Sequence, residues 1–369
     1  MKILLCGGGT AGHVMPAIAM AEIIEKSFPS CVIAFAGRKG GKENDAYKRS
    51  GHRFYEIDIQ GIRRSLSINN IKTIFKLLKS SRIANKIIED FKPDIIIGTG
   101  GYVCYPFLRQ GQRKGIKTII HESNASPGLV TLLLSKRCDK VLLNLECAKQ
   151  RLKRKDNVEI VGNPTRNSFN ALTKTEAKKI LGVRNGQILI ASFGGSLGSE
   201  MLNDSICEFI RHFTINNRSI IHIHATGKSK YGEIKSKYPE LVKGSENVRI
   251  VPYIDNMEIV LTAADIAITR SGAITISELC HSRTPSILIP SPNVTGKHQF
   301  INAQHMQEMG ASIIIEEKNL TPEHIKQIVF DLLGDSKRLR TMSEHAYRLH
   351  SQNTEKSITD IIKGLLNDK

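Results

Sequence analysis

ADIAITRSGAITISELCHSRTPSILIPSPNVTGKHQFINA, from Ala264 to Ala303, is the stretch on which the fold turns. Its pattern predicts a buried strand at 266–269, a sharp Ser271-Gly272 turn, a helix carrying Glu278, a second buried strand at 286–289, and a polar loop entering another helix. A strand that ends in Ser-Gly and feeds a helix puts backbone N–H groups at the C-terminal edge of a parallel sheet, where anionic ligands bind. Glu278, about one turn into the helix, has two readings. Its carboxylate accepts hydrogen bonds from a vicinal diol such as a ribose, or it is a charge that complements the helix dipole.

Outward from this stretch, short apolar runs alternate with amphipathic segments, the pattern of parallel sheets covered by helices. Strands are predicted at 3–6, 32–36, 54–58, 95–97, 118–120, 140–143 and 158–161, with helices at 16–27, 42–49, 69–90, 103–114, 126–134 and 146–153. Gly162-Asn163-Pro164 breaks the series and reads as a hinge, because Asn-Pro is a strong turn signal. The second half resumes with strands at 188–192, 219–224, 248–251, 266–269, 286–289 and 313–315, then turns helical from Pro322 to Leu366. The last helical segment, Glu355 to Leu366, carries Ile358, Ile361, Ile362, Leu365 and Leu366 on one face. The two halves open alike, with KILLCGGGT at Lys2–Thr10 and ILIASFGGS at Ile188–Ser196. Their separation is a domain length rather than a solenoid period, so the expected fold is α/β with two tandem Rossmann-like domains.

Composition agrees with a globular chain of two domains: 369 residues, 40% hydrophobic and 24% charged. The net charge of +18 calls for an acidic partner, whether nucleic acid, anionic membrane surface or phosphorylated substrate. Aromatic residues are only 5%, Trp is absent, and no run of aromatics interleaves with the basic clusters at Arg63-Arg64, Lys72 to Arg82 and Lys149 to Lys155. A nucleic-acid stacking platform is therefore not expected. The segment Ile68 to Arg82 reads either as a basic amphipathic helix on a membrane surface or as a helix packed on its own sheet. Seven cysteines, at 6, 31, 104, 138, 147, 207 and 280, include no CxxC pair and fit a reducing compartment, with Cys6 and Cys104 as buried, inert thiols. No metal-ligand spacing appears, and His222-Ile223-His224 reads as a structural pair on a strand. The first apolar run is too short for a signal peptide and no run approaches about 18 apolar residues, so a cytoplasmic protein with peripheral membrane contact is expected.

Three loops of the first half fall at one sheet edge: Gly7–His13, Gly98–Tyr102 and His121–Asn124. The first is not a dinucleotide fingerprint, because the second strand ends in Phe35-Ala36-Gly37-Arg38 without an acidic residue, and it is not a P-loop. His13 is its only titratable side chain, either a general base or hydrogen-bond donor, or a helix-start residue bonded to the backbone. Glu122 and Ser123 are candidates for the pocket or for a helix cap. In the second half, Gly194-Gly195-Ser196 is suited to phosphate oxygens, with Arg270, Ser271, Gly272 and the loop Lys297-His298-Gln299 on the same side.

Taken in order, GGGTAGHVMPA, GTGGYV, HESN, GNPTR, GGSLGS, RSGA followed by SE, and HQFINA cover almost the whole chain. Together they resemble the MurG family of bacterial transferases, which add N-acetylglucosamine to the lipid-linked muramyl-pentapeptide precursor of peptidoglycan. The resemblance implies a GT-B fold, two Rossmann-like domains facing across a cleft. Residues 1–163 would form the acceptor and membrane-binding domain, completed by a helix at 350–369, and 164–349 would bind UDP-GlcNAc. It implies an inverting reaction without metal or cofactor, an undecaprenyl-diphosphate-linked acceptor, and a site on the cytoplasmic face of an anionic membrane.

For the donor, the resemblance implies Thr10, Ala11, Gly12, Asn124, Arg166, Ser196, Arg270, Ala273 and Gln299, with the backbone of Ile254 on the uracil and Glu278 on the ribose. Gly195, Asn203, Ser271, Gly272 and His298 would support them. Thr10, His13, Tyr102, Glu122 and Asn124 would face the acceptor, with His13 as catalytic base and Glu122 as the second candidate. Ala11, Leu197 and His298 depart from residues frequent in the family, and His298 bears on how the sugar hydroxyls are read. A diacylglycerol glycosyltransferase of the same fold, a UDP-sugar epimerase and a non-catalytic nucleotide-sugar-binding module remain alternatives.

Overall fold

The run Lys2–Cys6 (β1) is apolar from Ile3 onward, and both its faces are buried: Ile3 and Leu5 enter one core layer, Leu4 and Cys6 the other. That is what a continuous apolar strand requires, helices over both faces of a parallel sheet. The computed structural model describes residues 1–41, 44–59, 69–165, 169, 172–195, 198–294, 297–351 and 353–367, with the backbone alone for Ala11 and 69–78. The chain divides into two compact units, Met1–Thr165 with Ser351–Lys369, and Arg166–His350.

In the first unit β1 is joined by β2 (Val32–Arg38), β3 (Arg53–Ile57), β4 (Ile95–Gly98), β5 (Lys117–Glu122), β6 (Lys140–Leu143) and β7 (Val158–Ile160). The sheet order is β3-β2-β1-β4-β5-β6-β7, every pair parallel. Between the strands run α1 (Ala11–Ser27), α2 (Asn44–Arg49), α3 (Asn69–Phe91), α4 (Cys104–Arg113) and α5 (Leu129–Leu134), while Glu146–Arg151 is a 3-10 turn. Helix α1 starts well before Pro16, the expected first residue, so His13 lies in its first turn rather than in a free loop. The helix expected at 126–134 begins only at Leu129.

The second unit repeats the plan with β8 (Ile188–Phe193), β9 (Ile220–Ala225), β10 (Val248–Val251), β11 (Ile266–Thr269), β12 (Ser286–Leu288) and β13 (Ser312–Ile314), in the order β10-β9-β8-β11-β12-β13, again all parallel. Its helices are α6 (Lys174–Ile180), α7 (Glu200–Phe209), α8 (Tyr231–Lys237), α9 (Pro239–Val242), α10 (Met257–Ala263), α11 (Ala273–His281), α12 (His298–Glu308), α13 (Pro322–Gly334) and α14 (Ser336–Arg348). Helix α6 is nucleated by a capping box in which Thr173 and Glu176 each accept the other's backbone N–H.

The last helix, α15 (Thr354–Asn367), belongs to the first unit and lies on α1. Ile358, Ile362 and Leu365 are buried there with Val14, Ala17 and Met20, roughly 2 kcal/mol each by burial of apolar area. Lys26–Glu355 and Ser27–Thr359 contacts at 3.0 and 2.8 Å flank them.

In each sheet the strand order reverses beside the first strand of the unit, at β1/β4 and at β8/β11. Connections diverge there to opposite faces and leave a crevice beyond the carboxyl ends of the strands. Cys6 pairs with Gly98 and Phe193 with Thr269, so the loops that follow start side by side.

Candidate functional site

At the β1/β4 switch point the chain turns through Gly7-Gly8-Gly9 into Thr10, the N-cap of α1. The Thr10 hydroxyl does not cap the helix; it lies 3.2 Å from His13 Nδ1, which is also 3.1 Å from the carbonyl oxygen of Gly8. A carbonyl only accepts, so this geometry puts the ring proton on Nδ1 and the lone pair on Nε2. The imidazole is packed on the backbone of Gly100 and Gly101; a Cβ at Gly101, whose φ is +80°, would come within 2.1 Å of Gly8 O. From below, Thr99 donates its hydroxyl to His13 O at 2.6 Å. Tyr102 borders Gly9 across the same edge.

Glu122 ends β5 and is buried. Its Oε1 accepts from the backbone N–H and side-chain amide of Asn124, both at 3.1 Å, and its Oε2 from the Gly128 N–H and the Thr131 hydroxyl, both at 2.8 Å. Both carboxylate oxygens are thus committed to the turn from β5 into α5. That geometry makes Glu122 an organiser of the loop that presents Asn124.

At the β8/β11 switch point, Gly194 and Gly195 lead toward α7, and Gly195 has φ +86°. Ser196 and Arg166 lie outside the described residues. The far side of this loop is pinned by Gly198, where a Cβ would stand 2.2 Å from Thr226 O, and by fully buried Asn203, whose amide donates to the same carbonyl at 2.9 Å. Gly272 is the N-cap of α11 and Ala273 its first residue, with no acidic residue in the first turn. Helix N–H groups there point toward the sheet edge and suit an anion. Glu278 is half-buried in the second turn, beyond reach of the dipole, which removes its reading as an N-terminal charge.

Ser271 is buried and donates to Gln299 O at 2.8 Å, and Gln299 Oε1 accepts from the Ser291 N–H at 2.9 Å. Asn302 donates to Ser271 O at 3.3 Å, so the start of α12, with half-buried His298, is tied to the turn after β11. Ile254 is 6% exposed, its side chain in the core, so only its backbone can meet a ligand.

Arg270 differs from expectation. Its guanidinium donates to Ile289 O at 3.0 Å and to the Ser199 hydroxyl, and it pairs with Glu317, both side chains almost buried. The charge expected at a diphosphate is neutralised within the unit, and Arg270 instead knots β11, β12 and the start of α7. Thr99, Ser199, Glu317 and Asn302 were not singled out in the sequence. Thr99 had a signal, its place between two glycines of the second loop; the others meet their partners only through the fold.

Among the described residues, no group of three or more His, Cys, Asp or Glu side chains is arranged to hold a metal ion. On β9, His222 and His224 are fully buried and both lie 2.8 Å from the Ser192 hydroxyl. Cys6 and Cys104 are buried, and burial raises the Cys6 thiol well above its ordinary value.

Residues 3–143 match the glycosyltransferase family 28 N-terminal domain and residues 189–363 its C-terminal domain. The UDP-N-acetylglucosamine–N-acetylmuramyl-(pentapeptide) pyrophosphoryl-undecaprenol N-acetylglucosamine transferase of Acetivibrio thermocellus is 38% identical over 369 residues, covering 100% of this chain and 99% of the relative. The protein of that name from Thermoanaerobacter sp. strain X514 is 40% identical, covering 99% and 100%. The crystal structure of Acinetobacter baumannii MurG superposes with a TM-score of 0.76 at 24% identity, covering 98% of this chain and 99% of that one. With both family 28 domains present and full-length relatives at this identity, the chain belongs to glycosyltransferase family 28, in the family of the UDP-N-acetylglucosamine–N-acetylmuramyl-(pentapeptide) pyrophosphoryl-undecaprenol N-acetylglucosamine transferases.

Proposed function

We propose that this hexosyltransferase moves N-acetylglucosamine from UDP-GlcNAc to the muramyl sugar of an undecaprenyl-diphosphate-linked muramyl-pentapeptide, with inversion, in peptidoglycan synthesis. The observation that carries the reading is His13, held through Nδ1 by Gly8 O so that Nε2 keeps its lone pair at the carboxyl edge of the first sheet. In the reaction the acceptor hydroxyl oxygen attacks the anomeric carbon, its proton passes to His13 Nε2, and the bond from that carbon to the diphosphate oxygen breaks as UDP leaves. Thr10, Tyr102 and Asn124 bind the acceptor from the first unit, with Ala11 and Gly12 at the same turn.

The second unit takes the donor. The N-terminus of α11 at Gly272 and Ala273 and the glycines 194–195 with Ser196 stabilise the negative charge of departing UDP. Glu278 holds the ribose hydroxyls, the Ile254 backbone the uracil, and Gln299 and His298 the sugar. Asn203, Ser271 and Arg270 act by positioning these loops. Arg166 completes the donor side on the strength of the family resemblance.

The acceptor is a lipid, and a surface on α5 supports docking of the protein to the cytoplasmic face of an anionic membrane. Leu129, Leu132 and Leu133 are 59, 41 and 58% exposed, beside exposed Lys136 and Arg137, in a chain of net charge +18. The membrane face expected at 68–82 lies largely outside the residues whose side chains are described. Among the described residues, no helix is long and apolar enough to cross a membrane.

The test is UDP release from UDP-GlcNAc with and without a lipid-linked muramyl acceptor, for the parent and Glu278→Ala. Acceptor-dependent release is expected in the parent, with a donor KM raised roughly tenfold or more in the variant. A parent that releases no UDP in response to the acceptor overturns the reading.

A further inference from the structure

Helix α11 ends at His281, one turn beyond Glu278, and that end is built from stacked rings. The His281 imidazole lies 4.1 Å, centroid to centroid, from that of His350, at an interplanar angle of 24°. On its other contact it meets Phe169 at 5.3 Å and 26°. Tyr347 stands 6.1 Å from His350, and the Arg283 guanidinium covers Tyr347 at 3.6 Å. Ser343 of α14 donates to Arg283 O at 2.7 Å and holds the turn after α11 against α14.

The sequence positions of these rings matter more than their number. The chain passes between the two units twice, at Thr165/Arg166 and at His350/Ser351. Phe169 follows the first passage closely, and His350 is the last residue before the second. One short helix therefore presents its N-terminal end and Glu278 to the proposed donor and grips, with its C-terminal residue, both segments by which the chain enters and leaves the second unit.

We propose that His281 and His350 form a clasp that positions α11 and couples occupancy of the donor site to the two connecting segments. An α-helix of this length is a stiff rod of about 13 Å, so a displacement at Gly272–Glu278 is delivered to His281 largely undiminished. Stacked aromatic rings transmit it because their contact is broad and directional, unlike a single aliphatic contact. Neutral rings are needed for such a stack, and burial supplies them: it lowers His281 to about 4, with a further contribution from His350, and lowers His350 below its ordinary value. His281 and His350 are thus positioning residues. The proposal rests on the assignment of UDP-GlcNAc to α11.

The experiment is amide hydrogen exchange of the full chain with and without UDP, for the parent, His350→Ala and His350→Phe, together with steady-state kinetics. In the parent, UDP slows exchange in α11 and also in the peptides containing Phe169 and Tyr347–His350. His350→Ala keeps the protection of α11 and loses the distant protection; its kcat falls roughly tenfold while the UDP-GlcNAc KM stays within about twofold. His350→Phe, which restores a planar ring, recovers both. The clasp is overturned if UDP protects α11 in the parent but not the two distant segments, if His350→Ala retains their protection, or if Phe fails to rescue. A parent whose α11 is indifferent to UDP overturns the donor assignment itself, and the clasp with it, a pattern distinct from the others.

Discussion

The base role proposed for His13 needs one tautomer only, with the lone pair on Nε2. The Gly8 carbonyl at 3.1 Å from Nδ1 selects that tautomer, and the Gly100-Gly101 backbone, which leaves no room for side chains, fixes the ring plane. His13→Ala is therefore expected to lower kcat by about 100- to 10,000-fold, the usual contribution of a positioned base, with the UDP-GlcNAc KM changed less than about twofold. Near-normal kcat in that variant would remove the assignment. The histidine could be singled out from sequence because it is the only titratable side chain in its loop; its tautomer could not, because the selecting atom is a main-chain oxygen placed by the turn. Arg270 shows the opposite case. A cation after a β-strand reads as a phosphate ligand, but its partners Ser199 and Glu317 come from elements distant in the chain, and no local pattern announces them.

On the scale of elements, the turn from β5 into α5 is organised by one carboxylate that accepts four hydrogen bonds. Glu122→Gln replaces an acceptor oxygen with an NH2 group facing other donors, and hydrogen bonds to a charged group contribute about 1.5–3 kcal/mol. The variant is expected to melt several degrees lower and to show a raised acceptor KM with the donor KM unchanged, measured by calorimetry and initial rates. If instead kcat collapses at unchanged melting temperature, Glu122 acts on the reaction directly. Element boundaries were the least legible feature of the sequence. Pro16 is a good first-turn residue and drew the expected start of α1 to itself, whereas the structure tolerates it inside the helix and starts five residues earlier, at Ala11. That shift moves His13 from a loop to a helical turn and so decides where its ring points.

Across the whole molecule, the second unit carries an acid-sensitive core. Burial pushes His222 well below its ordinary value and His224 down to about 4, so both are neutral when folded, whereas the unfolded chain protonates them near 6.5. Their contribution to stability is complete above about pH 6.5 and is lost as pH falls toward 4, because the unfolded state then binds more protons. Between pH 7.5 and 5 the loss for His224 is roughly 2 kcal/mol, and the urea midpoint of the second unit should fall accordingly. A midpoint independent of pH over that range would contradict it. The apolar runs at 3–6 and 188–191, each leading within two residues to glycines, and the alternation of apolar runs with amphipathic segments determined from sequence alone that this is an α/β chain of two parallel-sheet units, since a strand apolar on both faces must be covered on both. Family membership was equally legible, because ordered loop motifs are local strings. Tertiary structure alone decided which polar groups are already committed, Arg270 to Glu317 and Glu122 to its own loop, and that His281 and His350 share one stack. Those facts depend on distances between residues far apart in the chain, which the packing of the sheets sets and no local periodicity encodes.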